Sequence, residues 1–343
     1  MPLTIRDLSK MIGVSPTTIS LVINGKGSVS QETRDKVLSA VQETGYVPLK
    51  KYAAPKHEVL LLQYRGNGYL VEENQGFISA IIDSMEKNLR ANSYCVRIMN
   101  LSGPLKTALL EIDFEPYDGV ILIASEIDPS MYPDIAQIPL PFVVMDNPVP
   151  DYLYETVCMN NIENVGIVLR YVKEMGFTSL GLISSSIPFE NFRIRTEAFH
   201  SRLKEYGLSF SGMQYALRPD MKGAYEDMMK ILAKQNEYLT HEKYSQEPTA
   251  FFAVNDIIAL GAVRAFQNKG YRVPQEISVI GFDDIAYAAM STPALTTIHV
   301  QRRNIGIQAV RQLLGRMHDP LMDTIKVQFT GRLIERKSVR RVN

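Results

Sequence analysis

The chain has 343 residues, of which 45% are hydrophobic, and it carries 37 basic and 37 acidic side chains. A chain of this length and composition buries a substantial core and forms two or three compact units. Its first ten residues include the charged Arg6, Asp7 and Lys10 and so form no apolar segment, and no later stretch offers the roughly 18 apolar residues that a membrane span requires. The sequence therefore predicts a cytoplasmic protein with no membrane partner.

The chain has two cysteines, Cys95 and Cys158. Each stands in an apolar, strand-like neighbourhood, and a reducing compartment does not favour a disulfide framework. A free cysteine behaves as a small hydrophobic residue, so we predict that both thiols are buried packing residues.

The zero net charge conceals an asymmetry along the chain. Residues 1–58 carry eight Lys or Arg against five Asp or Glu, a net charge of +3, whereas the remaining residues carry −3. A basic segment beside an acidic body suits a protein that presents one end to a polyanion.

Two short helices are predicted at the N-terminus. Thr4 can cap the first, with Asp7 at the third helical position in a near match to a capping box, and Gly13 ends it. After a two-residue link, Ser15 is a good N-cap for the second helix and Pro16 a good first residue. The backbone N–H that proline lacks is not needed at that position.

The second helix has two different faces. Apolar Ile19, Val22 and Ile23 share one side, and the opposite side carries Thr17, Ser20, Leu21 and Asn24. Ser30 caps a third helix that runs to Gly45. Three short helices with a tight turn between the first two are typical of a helix-turn-helix, although a small helical bundle with no DNA function has the same pattern.

The segment 4–25, TIRDLSKMIGVSPTTISLVING, closely resembles the DNA-binding headpiece of the lactose-repressor (LacI/GalR) family, and the similarity continues through 29–37 and 45–48. The resemblance implies a transcriptional repressor that binds double-stranded operator DNA as a homodimer. It puts the dimer interface on the core, at about 66–95 of an N-terminal subdomain and on helices of a C-terminal subdomain. It assigns contacts with bases to Pro16, Thr17, Ser20 and Leu21, and contacts with the DNA backbone to Thr4, Ser15, Asn24 and Ser30.

The chemistry of these side chains fits the contacts that the resemblance assigns. Hydroxyls and amides near helix N-termini bind phosphates, Thr17 and Ser20 can hydrogen-bond base edges, and Leu21 can contact a thymine methyl. Many family members have an arginine in place of Leu21. We therefore expect a different operator sequence, with less guanine recognition at that step.

A second departure from the family lies in the linker LKKYAAPK at 49–56. Many relatives have a hinge helix here whose leucine wedges into the minor groove, but Pro55 stands at that position and a helix does not continue through it. We expect Lys50, Lys51 and Lys56 to contact phosphates or the minor groove instead. A solvated linker is the alternative.

From residue 58 onward, short apolar runs alternate with helical patterns, which predicts βαβ units and largely parallel sheets. Strands are predicted at 59–64, 94–99, 119–124, 142–145, 156–159, 180–184, 250–254 and 278–282. Helices are predicted at about 73–91, 161–176, 190–206, 221–235, 255–270 and 301–316. No glycine-rich phosphate loop follows the first strand, so the sequence does not indicate nucleotide chemistry.

The resemblance extends over this region through the segments VVMD (143–146), RTEAF (195–199), FAVNDIIALGA (252–262), VIGFDD (279–284) and PALTTI (293–298). It implies an all-α headpiece at 1–48, a hinge at 49–58 and a periplasmic-binding-protein-like α/β core at 59–343. That core has two doubly wound parallel-sheet subdomains, one at about 59–158 and 296–331, the other at about 161–284 and 332–343. The crossovers between them are expected near 158–161, 284–296 and 331–333.

Ligands of such a core bind in the cleft beyond the carboxyl ends of the strands. Asp146, Asn255 and Asp283 end predicted strands and can hydrogen-bond a sugar, although Asn255 or Asp256 can instead cap the next helix. Arg195 lies early in a helix, where its charge opposes the helix dipole, so we expect a ligand contact or an internal salt bridge to hold it.

Further cleft residues follow from the resemblance alone: Tyr64, Tyr69, Ser125, Met221 and Gln301. The two tyrosines can stack on a sugar face or serve only in packing. We predict that a small ligand, a sugar, binds between the subdomains and allosterically controls operator affinity.

An alternative is a regulator of the same fold whose core binds a phosphocarrier protein. A transport-type binding protein conflicts with the headpiece. The five histidines have no metal-ligand spacing, and no nucleophile or kinase motif occurs, so we expect neither an enzyme nor a cofactor.

Overall fold

The computed structural model describes residues 3–23, 29–44, 46, 57–66, 75–234 and 249–342. The chain divides into two compact units, Met1–Pro55 and Lys56–Asn343, which we call the headpiece and the core. Only residues 57 and 58 of the predicted hinge fall within the described ranges. The expected contacts of Lys50, Lys51 and Lys56 therefore lie outside them.

The headpiece contains α1 (Ile5–Ile12), α2 (Pro16–Ile23) and α3 (Gln31–Thr44). Gly13 ends α1 in the left-handed conformation, with φ of 68°, which glycine adopts without steric cost. Leu8, Ile19 and Val37 are fully buried, one from each helix, and form the centre of a small apolar core. The predicted helix-turn-helix is confirmed.

The core begins with β1 (His57–Tyr64), α4 (Gln75–Ala91), β2 (Tyr94–Leu101), α5 (Leu105–Leu110), β3 (Gly119–Ile123), a 3-10 helix (Pro129–Gln137), β4 (Phe142–Met145) and β5 (Thr156–Met159). It continues with α6 (Asn161–Glu174), β6 (Ser179–Ser185), α7 (Glu190–Arg202), a 3-10 helix (Leu203–Tyr206), β7 (Ser209–Leu217), α8 (Met221–Lys234), β8 (Thr249–Ala253), α9 (Asp256–Asn268), β9 (Ile277–Ile280) and α10 (Ala286–Met290). It ends with β10 (Thr297–His299), α11 (Arg302–His318), β11 (Lys326–Phe329) and β12 (Arg332–Ile334).

These strands form two separate parallel sheets and one small antiparallel pair. The first sheet has the order β11-β5-β4-β3-β1-β2, the second has the order β7-β6-β8-β9, and β10 pairs with β12. The chain therefore passes between the sheets after β5, after β9 and after β11. We call the first sheet with α4, α5 and α11 the N-terminal subdomain, and the second sheet with α6 to α10 the C-terminal subdomain.

The central strands are apolar on both faces because helices cover both sides of each sheet. All five residues of β3 are buried, and so are four of the five residues of β8, which lies inside the second sheet. The predicted α/β fold class is confirmed.

The elements that the sequence did not predict are short or lie at sheet edges. Strands β7 and β11 are edge strands in which about half of the residues are exposed, so they lack the continuous apolar run of a central strand. The helices α5 and α10 have six and five residues, too few to show helical periodicity.

The prediction that both cysteines are buried is wrong for Cys95. Its thiol is exposed because β2 is an edge strand whose residues alternate between half-buried and exposed, whereas Cys158 on the interior strand β5 is buried as expected. An apolar neighbourhood in sequence did not indicate which face of the strand the side chain occupies.

Candidate functional site

The first two helices of the headpiece each begin at a side-chain cap. Thr4 and Asp7 form a complete capping box, in which Asp7 N donates to Thr4 Oγ1 at 3.3 Å and Thr4 N donates to Asp7 Oδ2 at 3.0 Å. These hydrogen bonds hold the pKa of Asp7 below its ordinary value. Ser15 Oγ accepts a hydrogen bond from Thr18 N at 3.1 Å and so caps α2, which fixes the angle at which α2 leaves the turn.

Helix α2 is packed on one side and open on the other. Ile19 and Val22 are buried, whereas Pro16, Thr17 and Leu21 are exposed. The exposed side of α2 thus carries a hydroxyl and a leucine side chain, which can contact the hydrogen-bonding and apolar edges of base pairs.

Two other predicted DNA contacts, Ser20 and Ser30, lie on α2 and at the start of α3. Ser20 on α2 is half-buried, and Ser30 caps α3 by accepting a hydrogen bond from Thr33 N at 3.4 Å. Asn24, Lys50 and Lys51 lie outside the described residues.

In the core, a cleft lies between the subdomains at the carboxyl ends of β3, β4 and β5. It is lined by Phe77, Ile78, Ser125, Asp146, Met159, Asn191, Phe192, Arg195 and Asp283. Four predicted ligand residues therefore meet in one place: Ser125, Asp146, Arg195 and Asp283. The cavity between them measures about 20 Å³, which is room for about one water molecule.

Asp146 follows β4 directly and is buried with a positive φ of 65°. Ser125 Oγ donates a hydrogen bond to its carboxylate, and Asn191 Nδ2 donates to Asp146 Oδ1 at 3.2 Å. Burial raises the pKa of Asp146 to about 6, although these donors and the charge of Arg195 act in the opposite direction.

Arg195 projects from α7 and is 2% exposed. Its Nε donates to Asn161 Oδ1 at 2.8 Å, its Nη1 donates to the carbonyl oxygen of Val254 at 2.6 Å, and its Nη2 lies 3.8 Å from Asp283 Oδ1. Burial lowers the pKa of Arg195, and the nearby carboxylates oppose that effect. Internal contacts, including the ion pair with Asp283, hold Arg195 at the lining of the cleft, and its contact with a ligand stays a prediction.

Asn255 and Asp256 have different structural roles. Asn255 Oδ1 accepts from Ile258 N at 2.9 Å and so caps α9, and it is not among the cleft-lining residues. Asp256 is fully buried and accepts from Thr297 Oγ1 at 2.6 Å and from Ile285 N at 3.0 Å, which ties α9 to the second crossover. Burial raises the pKa of Asp256 well above its ordinary value.

The structure does not bring three other predicted ligand residues to the cleft. Tyr64 is buried and donates from its hydroxyl to the Gly103 carbonyl oxygen at 2.9 Å, which is a packing role. Met221 lines a separate cavity of about 240 Å³ between α8, α9 and α10. Gln301 precedes α11, where its Oε1 accepts from Asn304 Nδ2 at 3.3 Å. Tyr69 lies outside the described residues.

The sequence did not single out five residues of the cleft: Phe77, Ile78, Met159, Asn191 and Phe192. The four apolar residues have no chemical signature that separates a cleft lining from a core. Asn191 lies at the start of a helix four residues before Arg195, so it falls on the same helical face as a residue that the sequence did single out.

Another cavity, of about 460 Å³, lies beside the edge strand β2 and α5, and none of the predicted ligand residues line it. Within the described ranges, no cluster of His, Cys, Asp or Glu is arranged to hold a metal ion. Among the same residues, no helix is long and apolar enough to cross a bilayer.

Comparison of the sequence with protein families gives two matches. Residues 4–48 match the family described as bacterial regulatory proteins, lacI family, and residues 169–339 match the periplasmic binding protein-like domain. Among curated proteins, the "HTH-type transcriptional repressor PurR" of Pasteurella multocida is 30% identical over 345 residues, which cover 98% of each chain. The protein of the same name from Pectobacterium atrosepticum is 31% identical over 346 residues, which cover 98% of this chain and 96% of the relative.

Solved structures share the fold over nearly the whole chain. The lac repressor dimer bound to operator and the anti-inducer ONPF has a TM-score of 0.70 at 22% identity and covers 99% of this chain and 100% of its own. The complex of transcriptional regulator CelR with cellobiose has a TM-score of 0.70 at 21% identity. The match covers 98% of this chain and 99% of the CelR chain. A regulator from Enterococcus faecium with bound ribose has a TM-score of 0.66 at 20% identity. The match covers 83% of this chain and 100% of the regulator.

Proposed function

The chain belongs to the LacI family of bacterial regulatory proteins, and on that premise we propose that it is a homodimeric, cytoplasmic repressor whose affinity for operator DNA is controlled by a neutral sugar bound in the cleft. The observation that carries the DNA-binding part is the exposed face of α2. Its hydroxyl and leucine side chains are held in a fixed direction by the packing of Ile19 and Val22 on the opposite side.

Dimerisation follows from the size of the recognition surface. One α2 helix reads only a few base pairs, and two headpieces joined through their cores read a palindrome with a much higher effective concentration. The relatives named as repressors and the lac repressor dimer on its operator support this arrangement.

The charge of the cleft favours a neutral ligand over a phosphorylated one. Among the described lining residues, Asp146 and Asp283 contribute two carboxylates, and the single cation is Arg195. Arg195 already donates to Asn161 and Val254. Carboxylates accept hydrogen bonds from sugar hydroxyls, whereas a phosphate would face two negative charges. The cellobiose and ribose complexes of proteins with this fold support a sugar.

Calorimetric titration of the full chain tests the ligand class. We expect saturable binding of one neutral sugar from a panel that includes ribose and cellobiose, and no binding of the phosphorylated form of that sugar. Asp146→Ala removes a hydrogen-bond acceptor and should abolish the binding, whereas Glu111→Ala, which changes an exposed acid elsewhere in the core, should not. If no sugar binds and a phosphocarrier protein does, the sugar proposal is wrong and the protein-liganded alternative is correct.

Control of the operator by the ligand is tested by linkage. A ligand that shifts operator affinity by a given factor must itself bind with an affinity shifted by the same factor when operator is present, typically about 5 to 150-fold. Equal ligand affinities with and without operator would contradict allosteric control.

A further inference from the structure

A hydrogen-bonded bridge crosses the cleft from one subdomain to the other. Asp146 belongs to the N-terminal subdomain, at the end of β4, and Asn191 belongs to the C-terminal subdomain, in the first turn of α7. Asn191 Nδ2 donates to the main-chain oxygen of Asp146 at 2.9 Å and to Asp146 Oδ1 at 3.2 Å. Both residues are buried, so water competes little for these hydrogen bonds.

The bridge continues into the C-terminal subdomain. Asn161 Nδ2 donates to Asn191 Oδ1 at 2.7 Å, and Arg195 Nε donates to Asn161 Oδ1 at 2.8 Å. Asn161 begins α6 immediately after the first crossover. The orientation of the Asn191 amide is therefore fixed at both ends, because its oxygen accepts from one residue and its nitrogen donates to another.

The bridge holds a cleft that is too narrow for a sugar. Phe77 and Phe192, from opposite subdomains, line the cavity, and the space of about 20 Å³ admits about one water molecule. A sugar has many more heavy atoms than that space allows. Its entry requires the subdomains to separate, and their separation breaks the contact between Asn191 and Asp146.

We propose that Asn191 is a positioning residue that keeps the subdomains closed, and that the sugar must displace its amide from Asp146 to enter. That a sugar competes with Asn191 for Asp146 rests on the proposed function, but the role of Asn191 in keeping the subdomains closed does not. The bridge thereby raises the fraction of molecules whose core is closed. A ligand that binds only the open form then has a lower apparent affinity.

Exchange of the two side chains provides the sharpest test. Asn191→Asp replaces the donor with a second carboxylate beside that of Asp146, so the bridge is replaced by repulsion between like charges. The double variant Asp146→Asn with Asn191→Asp restores one donor and one acceptor with their positions reversed. If position 191 required asparagine for local structure alone, the double variant would be as perturbed as the single variant.

Closure is measured on the full chain without any ligand, by small-angle X-ray scattering and by hydrogen–deuterium exchange of peptides covering 143–149 and 189–196. For Asn191→Asp we expect a larger radius of gyration and exchange on the order of 10-fold faster in both peptides, which is the scale of one lost hydrogen bond to a charged group. In the double variant we expect both quantities to return toward the wild-type values.

Asn304→Asp is the matched control, since it makes the same chemical change at an exposed position on α11, and it should leave both measurements unchanged. The proposal is wrong if Asn191→Asp has the same hydrogen exchange and the same scattering as the wild type. It is also wrong if the double variant is as open as the single variant or does not fold. Because no sugar or DNA is present, these outcomes are independent of whether the proposed function is correct.

Discussion

Arg195 places its guanidinium carbon 3.6 Å from the centre of the Phe282 ring. A guanidinium over an aromatic face is stabilised by the ring quadrupole, and the effect is larger when both groups are removed from water. Asp283, the next residue, provides the nearest carboxylate at 3.8 Å. The end of β9 and the first turns of α7 are thus joined through one buried cation, which also lines the cleft.

Arg195→Lys should lower the free energy of unfolding by about 3 kcal/mol, measured by urea denaturation. Lysine keeps the charge but loses the planar group that stacks on Phe282 and donates in two directions to Asn161 and Val254. Arg311→Lys, at an exposed position on α11, should change the same quantity by less than about 0.5 kcal/mol. Equal effects of the two substitutions would contradict a structural role for Arg195.

The stability of the core should depend on the ionisation of Asp146. Burial raises the pKa of this carboxyl from 3.8 to about 6, so the folded state holds the proton more tightly than the unfolded state does. Its contribution is therefore most favourable below pH 4 and is lost as the pH rises to about 6. Relative to Asp146→Asn, wild-type stability should fall by about 3 kcal/mol between pH 4 and pH 7.

Urea denaturation of both proteins at several pH values across this range measures the difference. A constant difference between wild type and Asp146→Asn would show that the carboxyl titrates alike in the folded and unfolded chains.

If Leu21 contacts bases as we propose, Leu21→Ala should weaken specific DNA binding and leave non-specific binding unchanged, because leucine carries no charge for phosphates. The expected loss is about 1 kcal/mol, or roughly fivefold in Kd, measured by fluorescence anisotropy with a specific duplex and a random one. Leu38→Ala is a suitable control, since Leu38 is an exposed leucine on α3. A similar loss for both duplexes would remove Leu21 from sequence recognition.

The two thiols should differ sharply in reactivity toward Ellman's reagent. Cys95 is exposed, whereas Cys158 is buried and its burial raises the pKa of the thiol to about 12, so little thiolate forms. One thiol per folded chain should react quickly, and Cys95→Ser should remove that reaction. Rapid release of a second equivalent before unfolding would contradict the buried position of Cys158.

The sequence predicted best what depends on neighbouring residues. The caps at Thr4 and Ser15, the stop at Gly13 and the burial of Ile19 follow from local hydrogen bonding and helical period, and the structure has all four. The sequence also predicted the ends of strands, because a polar residue after an apolar run marks the carboxyl edge of the sheet. Asp146 and Asp283 lie at such edges.

What the sequence did not predict depends on contacts between distant segments. The exposure of Cys95 follows from the position of β2 at the edge of the sheet, which is a property of the strand order. The bridge from Asn191 to Asp146 joins residues 45 positions apart in different subdomains. Met221 was placed in the cleft by resemblance alone, and the packing of α8 on α9 carries it to another cavity.

Selection of duplexes from a random pool by the full chain tests the central claim most directly. If α2 reads base pairs as part of a dimer, repeated rounds should enrich a two-fold symmetric sequence with two equivalent half-sites. The purified chain should bind that sequence about 10³-fold or more tightly than random DNA at physiological salt. A pool that stays random after selection would contradict the assignment of this protein as a sequence-specific repressor.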